Sequence, residues 1–165
     1  MIDILHATEE HAEAAWQIFR EVIASGDAYV FGADTTREAF LAYWFAAHAY
    51  VAMENGKVLG SYLIKANQPG RGSHVANASY MVAAAARGKG IGGLMCEHSL
   101  YQAKTLGFRA MQFNIVVSTN TAAVALWQKH GFAIVGTLPG AFRHETLGYV
   151  DALVMFRDLA DIDSL

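Results

Sequence analysis

Apolar residues recur every three or four positions in the first quarter of the chain, which predicts helices. A short strand over Ile2 to Leu5 is followed by a helix with Thr8 as N-cap that runs to about Ala24. Thr35 and Glu38 form the capping-box pattern of a second helix. The apolar stripes of these helices are Ala12, Ala15, Trp16, Phe19 and Ile23 in the first, and Phe40, Tyr43, Trp44 and Ala47 in the second.

The apolar period then shortens, which indicates strands. Tyr50–Met53 and Val58–Ile64 flank the dipeptide Asn55-Gly56, a strong hairpin signal. Further strands are predicted over His74–Val82, Met111–Val117, Phe132–Leu138 and Tyr149–Phe156, with a loop over Pro139–Gly148. One further helix follows a glycine-rich segment and stops at Gly107, and another is capped by Ser118-Thr119-Asn120 and stops at Gly131.

The predicted element order is β-α-α-β-β-β-α-β-α-β-β over one domain, residues 1–165. Hairpin strands come first and strand-helix units come later, which favours an α/β architecture of the mixed α+β kind. We expect a central mixed sheet with helices on both faces.

Composition narrows the possible functions. The 165 residues are 54% apolar and carry a net charge of −3, so nothing resembles the basic footprint of a nucleic-acid-binding protein. The single cysteine, Cys96, suits a reducing compartment, and Asp3 without an early basic stretch argues against a secretory signal. The longest nearly apolar segment, Ala39–Met53, is too short to span a bilayer. A cytoplasmic protein without a nucleic-acid or membrane partner is expected.

The segment Arg87-Gly88-Lys89-Gly90-Ile91-Gly92-Gly93 lies between a predicted strand and a predicted helix. Glycines allow close backbone approach, and the N–H groups that open a helix attract anions such as phosphate. A dinucleotide fingerprint is disfavoured because Phe108–Gln112 lacks the required acid, and a P-loop because Gly90 follows Lys89. A glycine-rich turn without a ligand is the remaining alternative.

The sequence resembles the GNAT superfamily of acyl-coenzyme A N-acyltransferases in two places. Arg87-Gly88-Lys89-Gly90-Ile91-Gly92 resembles its Q/R-x-x-G-x-G/A pyrophosphate motif. A second block resembles N-x-x-A-x-x-L-Y-x-x-x-G-F and comprises Asn120, Ala123, Leu126, Trp127, Gly131 and Phe132. Within the superfamily the sequence is most similar to the phosphinothricin and amino-acid N-acetyltransferase group. The resemblance implies a mostly antiparallel sheet that splays at an acetyl-coenzyme A site.

The resemblance also implies a set of binding residues for acetyl-coenzyme A, the expected co-substrate. Main-chain groups of Met81 and Val82 should contact pantetheine, and the loop should hold the pyrophosphate. The complete expected set is Met81, Val82, Arg87, Gly88, Lys89, Gly90, Ile91, Gly92, Gly93, Asn120, Ala123 and Trp127. Since no histidine pair follows the HExxH spacing, no metal is expected.

The expected reaction is direct attack of an amine on the thioester in a ternary complex. The strand before the loop carries no acid, so Asn77 or Ser79 is expected to hold a water that relays the proton. The other candidate bases are His74, His144, Glu145 and Tyr149. Trp127 stands where many family members have a tyrosine proposed to protonate the thiolate, and an indole is not such an acid. The catalytic candidates are therefore Asn77, Ser79 and Trp127, the last either in catalysis or in packing.

The acceptor is expected to be a small-molecule amine, with amino acids and amino-acid-like compounds among the candidates. Tyr29, Phe31, Phe142 and Arg143 are the expected substrate-binding residues, while Tyr43 and Trp44 are assigned to the core. Arg71 or Arg143 could pair with a substrate carboxylate. The alternatives are a non-catalytic acyl-coenzyme A sensor and a peptide or protein N-acetyltransferase. Edge strands of this architecture often pair, so a homodimer is a further expectation.

Overall fold

The computed structural model describes residues 1–163 and has the element order that the sequence predicts. The strands are β1 (Asp3–His6), β2 (His48–Glu54), β3 (Lys57–Ala66), β4 (Val75–Val82), β5 (Ala110–Val117), β6 (Ala133–His144) and β7 (Gly148–Asp158). The helices are α1 (Ala12–Ser25), α2 (Arg37–Trp44), α3 (Ile91–Thr105) and α4 (Thr121–Lys129). Short 3-10 turns cover Glu9–His11, Gly70–Gly72 and Ala84–Ala86.

The described strands form one seven-stranded sheet in the order β1-β2-β3-β4-β5-β7-β6. Every neighbouring pair is antiparallel except β4 and β5, which are parallel because α3 connects them. The expected mixed, mostly antiparallel sheet is confirmed.

The sheet splits between β4 and β5. Their pairing is confined to Val75 with Ala110 and Ala76 with Met111. On its other edge β4 pairs with β3 along its length, from Ala76 opposite Ala66 to Val82 opposite Gly60. The two parallel strands therefore separate toward their carboxyl ends, as the expected splay requires.

Two successive residues of β3 show that helices cover both faces of the sheet. Side chains of neighbouring strand residues point to opposite faces. The Ser61 hydroxyl accepts a hydrogen bond from Trp44 Nε1 of α2 at 2.8 Å, whereas the Tyr62 hydroxyl lies 2.6 Å from His98 Nδ1 of α3. Helix α2 thus covers one face and α3 the other, and α1 packs beside α2 through the stacked rings of Phe19 and Phe40. The largest fully buried side chains include Trp44, Tyr62 and Phe19.

Local signals determine most element boundaries. Asn55 and Gly56 both have positive φ, 50° and 75°, as a type I′ hairpin turn requires. A short 3-10 turn separates Thr8 from α1. The predicted cap of α2 is wrong by one residue: Thr36, and not Thr35, accepts from the Ala39 N–H at 3.1 Å. The Thr35 hydroxyl instead donates to the Gly32 carbonyl at 2.7 Å and stabilises the preceding turn.

The predicted loop over Pro139–Gly148 is also wrong. Strand β6 continues to His144 and pairs with β7 at Phe142 opposite Val150 and Arg143 opposite Tyr149. The register shifts between Leu138 and Phe142, so the proline and glycine lie in an irregularity within the strand. Because β6 is the outer strand of the sheet, a residue there needs no N–H partner on its free side, and the ladder tolerates Pro139.

No helix within residues 1–163 is long and apolar enough to cross a bilayer.

Candidate active site

A cleft of about 740 Å³ opens where β4 and β5 separate. Residues of β4 and β5 form its floor, and the α1–α2 loop forms one wall. The first half of α4 forms another wall, and Arg87 and Gly92 lie at the end near α3. The predicted site residues that line it are Tyr29, Phe31, Asn77, Ser79, Met81, Val82, Arg87, Gly92, Asn120, Ala123 and Trp127.

Main-chain groups of β4 face the gap at alternate residues. The Ala83 N–H donates to the Leu59 carbonyl and the Asn67 N–H donates to the Val75 carbonyl, both at 2.8 Å. In an antiparallel ladder, every second residue exchanges hydrogen bonds with the neighbouring strand. The odd-numbered residues of β4 therefore bond β3, and the even-numbered residues direct their main-chain groups away from β3. Tyr80 and Val82 therefore direct their N–H and C=O groups toward the gap.

The same alternation changes one of the two predicted main-chain contacts. Val82 is placed as expected. Met81, however, lies opposite Ser61 and is one of the odd-numbered residues whose main-chain groups bond β3. Its main-chain groups belong to that ladder, and its side chain is buried. Tyr80 takes the place of Met81 as a main-chain donor toward the gap.

The glycine-rich segment divides into a loop and the first turn of a helix. Gly88 and Gly90 have φ of 78° and 77°, a left-handed geometry that other residues adopt only at a cost. Helix α3 begins at Ile91, which is buried, so Gly92 and Gly93 lie inside the helix and not in the loop. No side chain caps this helix at Gly90, which leaves its first N–H groups available to an anion.

Helix α4 packs closely against the start of α3. A Cβ placed on Gly92 would lie 3.3 Å from Leu126 Cδ2, and one on Gly93 would lie 3.7 Å from the Leu126 side chain. The side chain of Asn120 caps α4 by accepting from the Ala123 N–H at 3.3 Å. This packing places Asn120 and Ala123 beside the cleft.

Trp127 belongs to an aromatic cluster on the α3 face of the sheet. Its ring centroid lies 4.9 Å from that of Tyr80 and 4.9 Å from that of Phe113. The side chain is half-buried and lines the cleft. The arrangement favours the packing interpretation of Trp127 over a role as an acid.

Amide side chains cross the closed end of the gap. Asn77 Nδ2 donates to the Gln112 carbonyl at 2.9 Å and links β4 to β5 just beyond their last pair. Asn114 Nδ2 donates to Asn67 Oδ1 at 2.7 Å. The Asn77 amide nitrogen is thus used structurally, while its Oδ1 remains able to accept a hydrogen bond. Ser79, two residues further along β4, is half-buried in the cleft.

Aromatic side chains line the wall formed by the α1–α2 loop. The Tyr29 hydroxyl donates to the Tyr80 carbonyl and ties the loop to β4. The Phe31 ring lies 5.1 Å from the Tyr43 ring of α2. Trp44 is fully buried, as predicted, but Tyr43 is half-buried and lines the cleft. Tyr43 packs against the edge of the core, as assigned, and its ring also forms part of the cleft wall.

Phe142 and Arg143 do not reach this cleft. They line a second cavity of about 590 Å³ between the α1–α2 loop and the β6–β7 hairpin, behind the wall. Phe142 is buried there, and Tyr29 and Phe31 contribute to both cavities. The unpredicted continuation of β6 turns these two residues away from the cleft between β4 and β5. Arg71, in the Gly70–Gly72 turn, lines neither cavity.

Burial keeps the phenols of Tyr29 and Tyr80 and the thiol of Cys96 protonated at neutral pH. Desolvation raises the pKa of Tyr80 well above its usual value and also raises the pKa of Tyr29. It raises the pKa of the Cys96 thiol to about 12, consistent with a packing residue and not a nucleophile. Within residues 1–163 no group of histidine, cysteine and carboxylate side chains could hold a metal ion.

Sequence reasoning missed Tyr80, Lys65 and Asn114. The signal for Tyr80 was the alternation along β4. Main-chain N–H and C=O groups point to opposite neighbouring strands at successive residues, so one known hydrogen bond to β3 fixes the direction at all the others. Lys65 and Asn114 come to the cleft from neighbouring strands, and no local pattern marks them.

The comparisons with known proteins agree with this geometry. The model of the acetyltransferase (GNAT) family matches residues 8–132. N-acetyltransferase aca1 of Schizosaccharomyces pombe is 40% identical over 100 residues, 59% of this chain and 47% of that protein. The chain thus spans about half the length of this curated relative.

Solved structures are similar over nearly the whole chain. A GCN5-related N-acetyltransferase from Kribbella flavida has 43% identity and a TM-score of 0.92, over 95% of this chain and 97% of that one. A GNAT superfamily phosphinothricin acetyltransferase from Sinorhizobium meliloti, solved with acetyl-coenzyme A, has 20% identity and a TM-score of 0.86 over 99% and 93%. The second likeness shows a shared fold alone.

Proposed function

Because this chain belongs to the acetyltransferase (GNAT) family, we propose that it moves the acetyl group of acetyl-coenzyme A to the amine of a small molecule. Membership of the family makes the chain an acyltransferase. The observation that carries the proposal is the separation of β4 from β5 beside the uncapped start of α3. This geometry offers main-chain donors both to a diphosphate and to an extended thioester arm.

The site residues divide between the two ends of the cofactor. The N–H groups between Gly88 and Gly93 bind the diphosphate, and Arg87 and Lys89 add positive charge. Pantetheine lies in the gap, where Tyr80 and Val82 pair with it through main-chain groups as an added strand would. Asn120 and Ala123 flank the arm, and the Trp127 indole forms its wall.

Acetyl-coenzyme A supplies an acyl group activated by a thiol leaving group. The neutral amine of the acceptor attacks the thioester carbonyl carbon, so a C–N bond forms and the C–S bond breaks. The Tyr80 or Val82 N–H donates to the oxyanion of the tetrahedral intermediate. A water held by Asn77 Oδ1 and the Ser79 hydroxyl takes the amine proton and relays it to solvent. The coenzyme A thiolate leaves and is protonated by solvent, since Trp127 is not an acid.

The acceptor side favours a small molecule. Tyr29 and Phe31 line the cleft on a loop whose first residues are held at two points. The Tyr29 hydroxyl bonds β4, and the Gly26 carbonyl accepts from the Glu145 N–H at 3.0 Å, which joins the loop to the β6–β7 turn. Contact between these two segments closes one side of the acceptor space. Amino acids and amino-acid-like amines therefore fit better than a peptide.

The test combines calorimetry with coenzyme A and a thiol-release assay with acetyl-coenzyme A. The amine panel includes amino acids, simple amines and short peptides, and reactions without amine measure background hydrolysis. We expect a heat of binding and thiol release that depends on a small amine. Binding without turnover would favour an acyl-coenzyme A sensor, turnover on peptides alone would favour a peptide acetyltransferase, and absence of binding contradicts the proposal.

We also propose that the chain works as a homodimer in the cytoplasm. The outer strand β6 exposes Ile134, Val135 and Leu138, an apolar edge that a second copy would cover. A buried, unpaired Cys96 suits a reducing compartment. Light scattering of the wild type and of Val135→Lys tests the proposed homodimer. We expect the wild type to be a dimer and Val135→Lys to be a monomer, and a monomeric wild type contradicts the proposal.

A further inference from the structure

We propose that Lys65 binds the carboxylate of the acceptor and so makes the enzyme selective for amines that carry an acidic group. The inference rests on the proposed acetyl transfer and adds to it the recognition group and the substrate class. Lys65 lies on β3, and its side chain lines the same cleft as Asn77 and Ser79.

Strand register places Lys65 beside the reacting region. Lys65 lies directly opposite Asn77, and Leu63 lies opposite Ser79. Side chains of opposite residues stand about 5 Å apart at Cβ and share one face of the sheet. Lys65, Asn77 and Ser79 therefore lie together on the face covered by α2, at the closed end of the gap.

Tyr43 fixes the direction of the Lys65 side chain. The Nζ atom lies over the Tyr43 ring, 4.4 Å from its centroid, in cation–π geometry. Tyr43 contacts Phe31, and the wall continues to Tyr29, whose hydroxyl bonds the Tyr80 carbonyl. An aromatic wall thus runs from the ammonium group to the main chain that faces the thioester arm.

The charge of Lys65 is available to a ligand. No ion pair in the described part of the chain involves Lys65. Its ammonium carries three N–H donors, and the face of one ring does not use them all. The neighbouring polar groups at this end are the amides of Asn67, Asn77 and Asn114, which carry no charge.

The other charged residues of the cleft serve elsewhere. Of the described residues, Asp27, Lys65 and Arg87 are the charged ones that line it. Arg87 lies beside the glycine loop, and Asp27 is exposed and accepts from the Ser25 hydroxyl at 2.6 Å. Lys65 is thus the cation at the acceptor end, the position that the sequence alone had assigned to Arg71 or Arg143.

The experiment measures acetyl transfer to α- and ω-amino acids and to the matching amines that lack the carboxylate. The variants are Lys65→Met, which keeps the apolar stem, and Lys65→Arg, which keeps the charge. Lys57→Met is the matched control, since Lys57 is exposed at the other end of β3. Coenzyme A affinity and thermal unfolding are measured for each variant.

We expect the wild type to prefer acceptors that carry a carboxylate. Lys65→Met should lower kcat/KM for them about 10- to 100-fold, mainly through KM, because one charge-assisted contact is lost. The amines without a carboxylate should change little, Lys65→Arg should retain much of the selectivity, and Lys57→Met should match the wild type.

Three outcomes overturn the inference. If wild-type enzyme acetylates the matching amines as well as the amino acids, or if Lys65→Met affects both groups equally, Lys65 does not bind a carboxylate, while the proposed acetyl transfer stands. If no amine is acetylated by a protein that binds coenzyme A, both the inference and the proposed function are wrong. The wild-type comparison requires no variant, so a folding defect in Lys65→Met cannot obscure the result.

Discussion

Replacing Gly90 with alanine tests the binding of the diphosphate at the start of α3. Gly90 has φ of 77°, and no atom lies within 4 Å of the position that a Cβ would take. The cost of Gly90→Ala is therefore conformational, about 1–2 kcal/mol for an L-residue with a side chain in the left-handed region. The chain can avoid this cost only by changing the loop geometry.

A changed loop moves the N–H groups that are proposed to hold the diphosphate. A hydrogen bond to a charged group contributes about 1.5–3 kcal/mol, so losing one of them weakens binding by a factor of about 10 to 150. We expect Gly90→Ala to bind coenzyme A at least about 10-fold more weakly by calorimetry. Urea unfolding, measured in parallel, gives the accompanying loss of stability.

Gly107→Ala is the matched control. Gly107 follows the other end of α3, has φ of 91° and likewise has no atom within 4 Å of the place where an alanine Cβ would sit. It should lose a similar free energy of unfolding and bind coenzyme A as the wild type does. The expected loss of affinity is absent if Gly90→Ala keeps the wild-type dissociation constant. The reasoning itself is refuted if the variant does so while losing less stability than Gly107→Ala, because the loop has then changed its geometry without moving the binding groups.

Three further changes test the wall, a helix cap and a half-buried histidine. Tyr29→Phe removes the bond to the Tyr80 carbonyl, so we expect about 1 kcal/mol lower stability and a higher KM for the amine; an unchanged KM would show that the loop does not shape the acceptor space. Asn120→Ala loses the α4 cap and should cost about 0.5–2 kcal/mol in urea unfolding, whereas Asn120→Asp should restore most of it; equal stability of the two variants would contradict the capping role. Burial lowers the pKa of His98, so below its unfolded value of about 6.5 the unfolded chain binds more protons and stability falls as pH falls. His98→Gln should flatten this fall between about pH 7 and 5, and an unchanged slope would show that His98 does not cause it.

Much of the fold follows from patterns that lie close together in the sequence. The apolar period distinguishes helices from strands, Asn55-Gly56 closes a hairpin with positive φ at both residues, and glycines at 88 and 90 permit the left-handed turn before α3. These features depend on the backbone freedom of single residues and on contacts within one or two turns. They could therefore be predicted, as could the order of the elements.

The errors arise where a neighbouring strand or helix overrides a local signal. Pro139 and Gly140 suggest a loop, but β7 pairs with the chain on either side of them and β6 continues as an edge strand. That continuation carries Phe142 and Arg143 behind the α1–α2 loop and away from the cleft. The spacing of residues along the sequence does not show on which side of the α1–α2 loop the β6–β7 hairpin packs.

What the sequence by itself determined is the set of elements and the glycine-rich turn with its left-handed geometry, because both depend on local conformational preferences. The tertiary structure decided which groups face the gap. The alternation of hydrogen bonds between β3 and β4 directs the main chain of Tyr80, and not that of Met81, toward the gap. The pairing of the same strands brings Lys65 opposite Asn77. The physical reason is that direction and proximity across a sheet depend on pairing between segments far apart in the chain, and no single segment encodes that pairing.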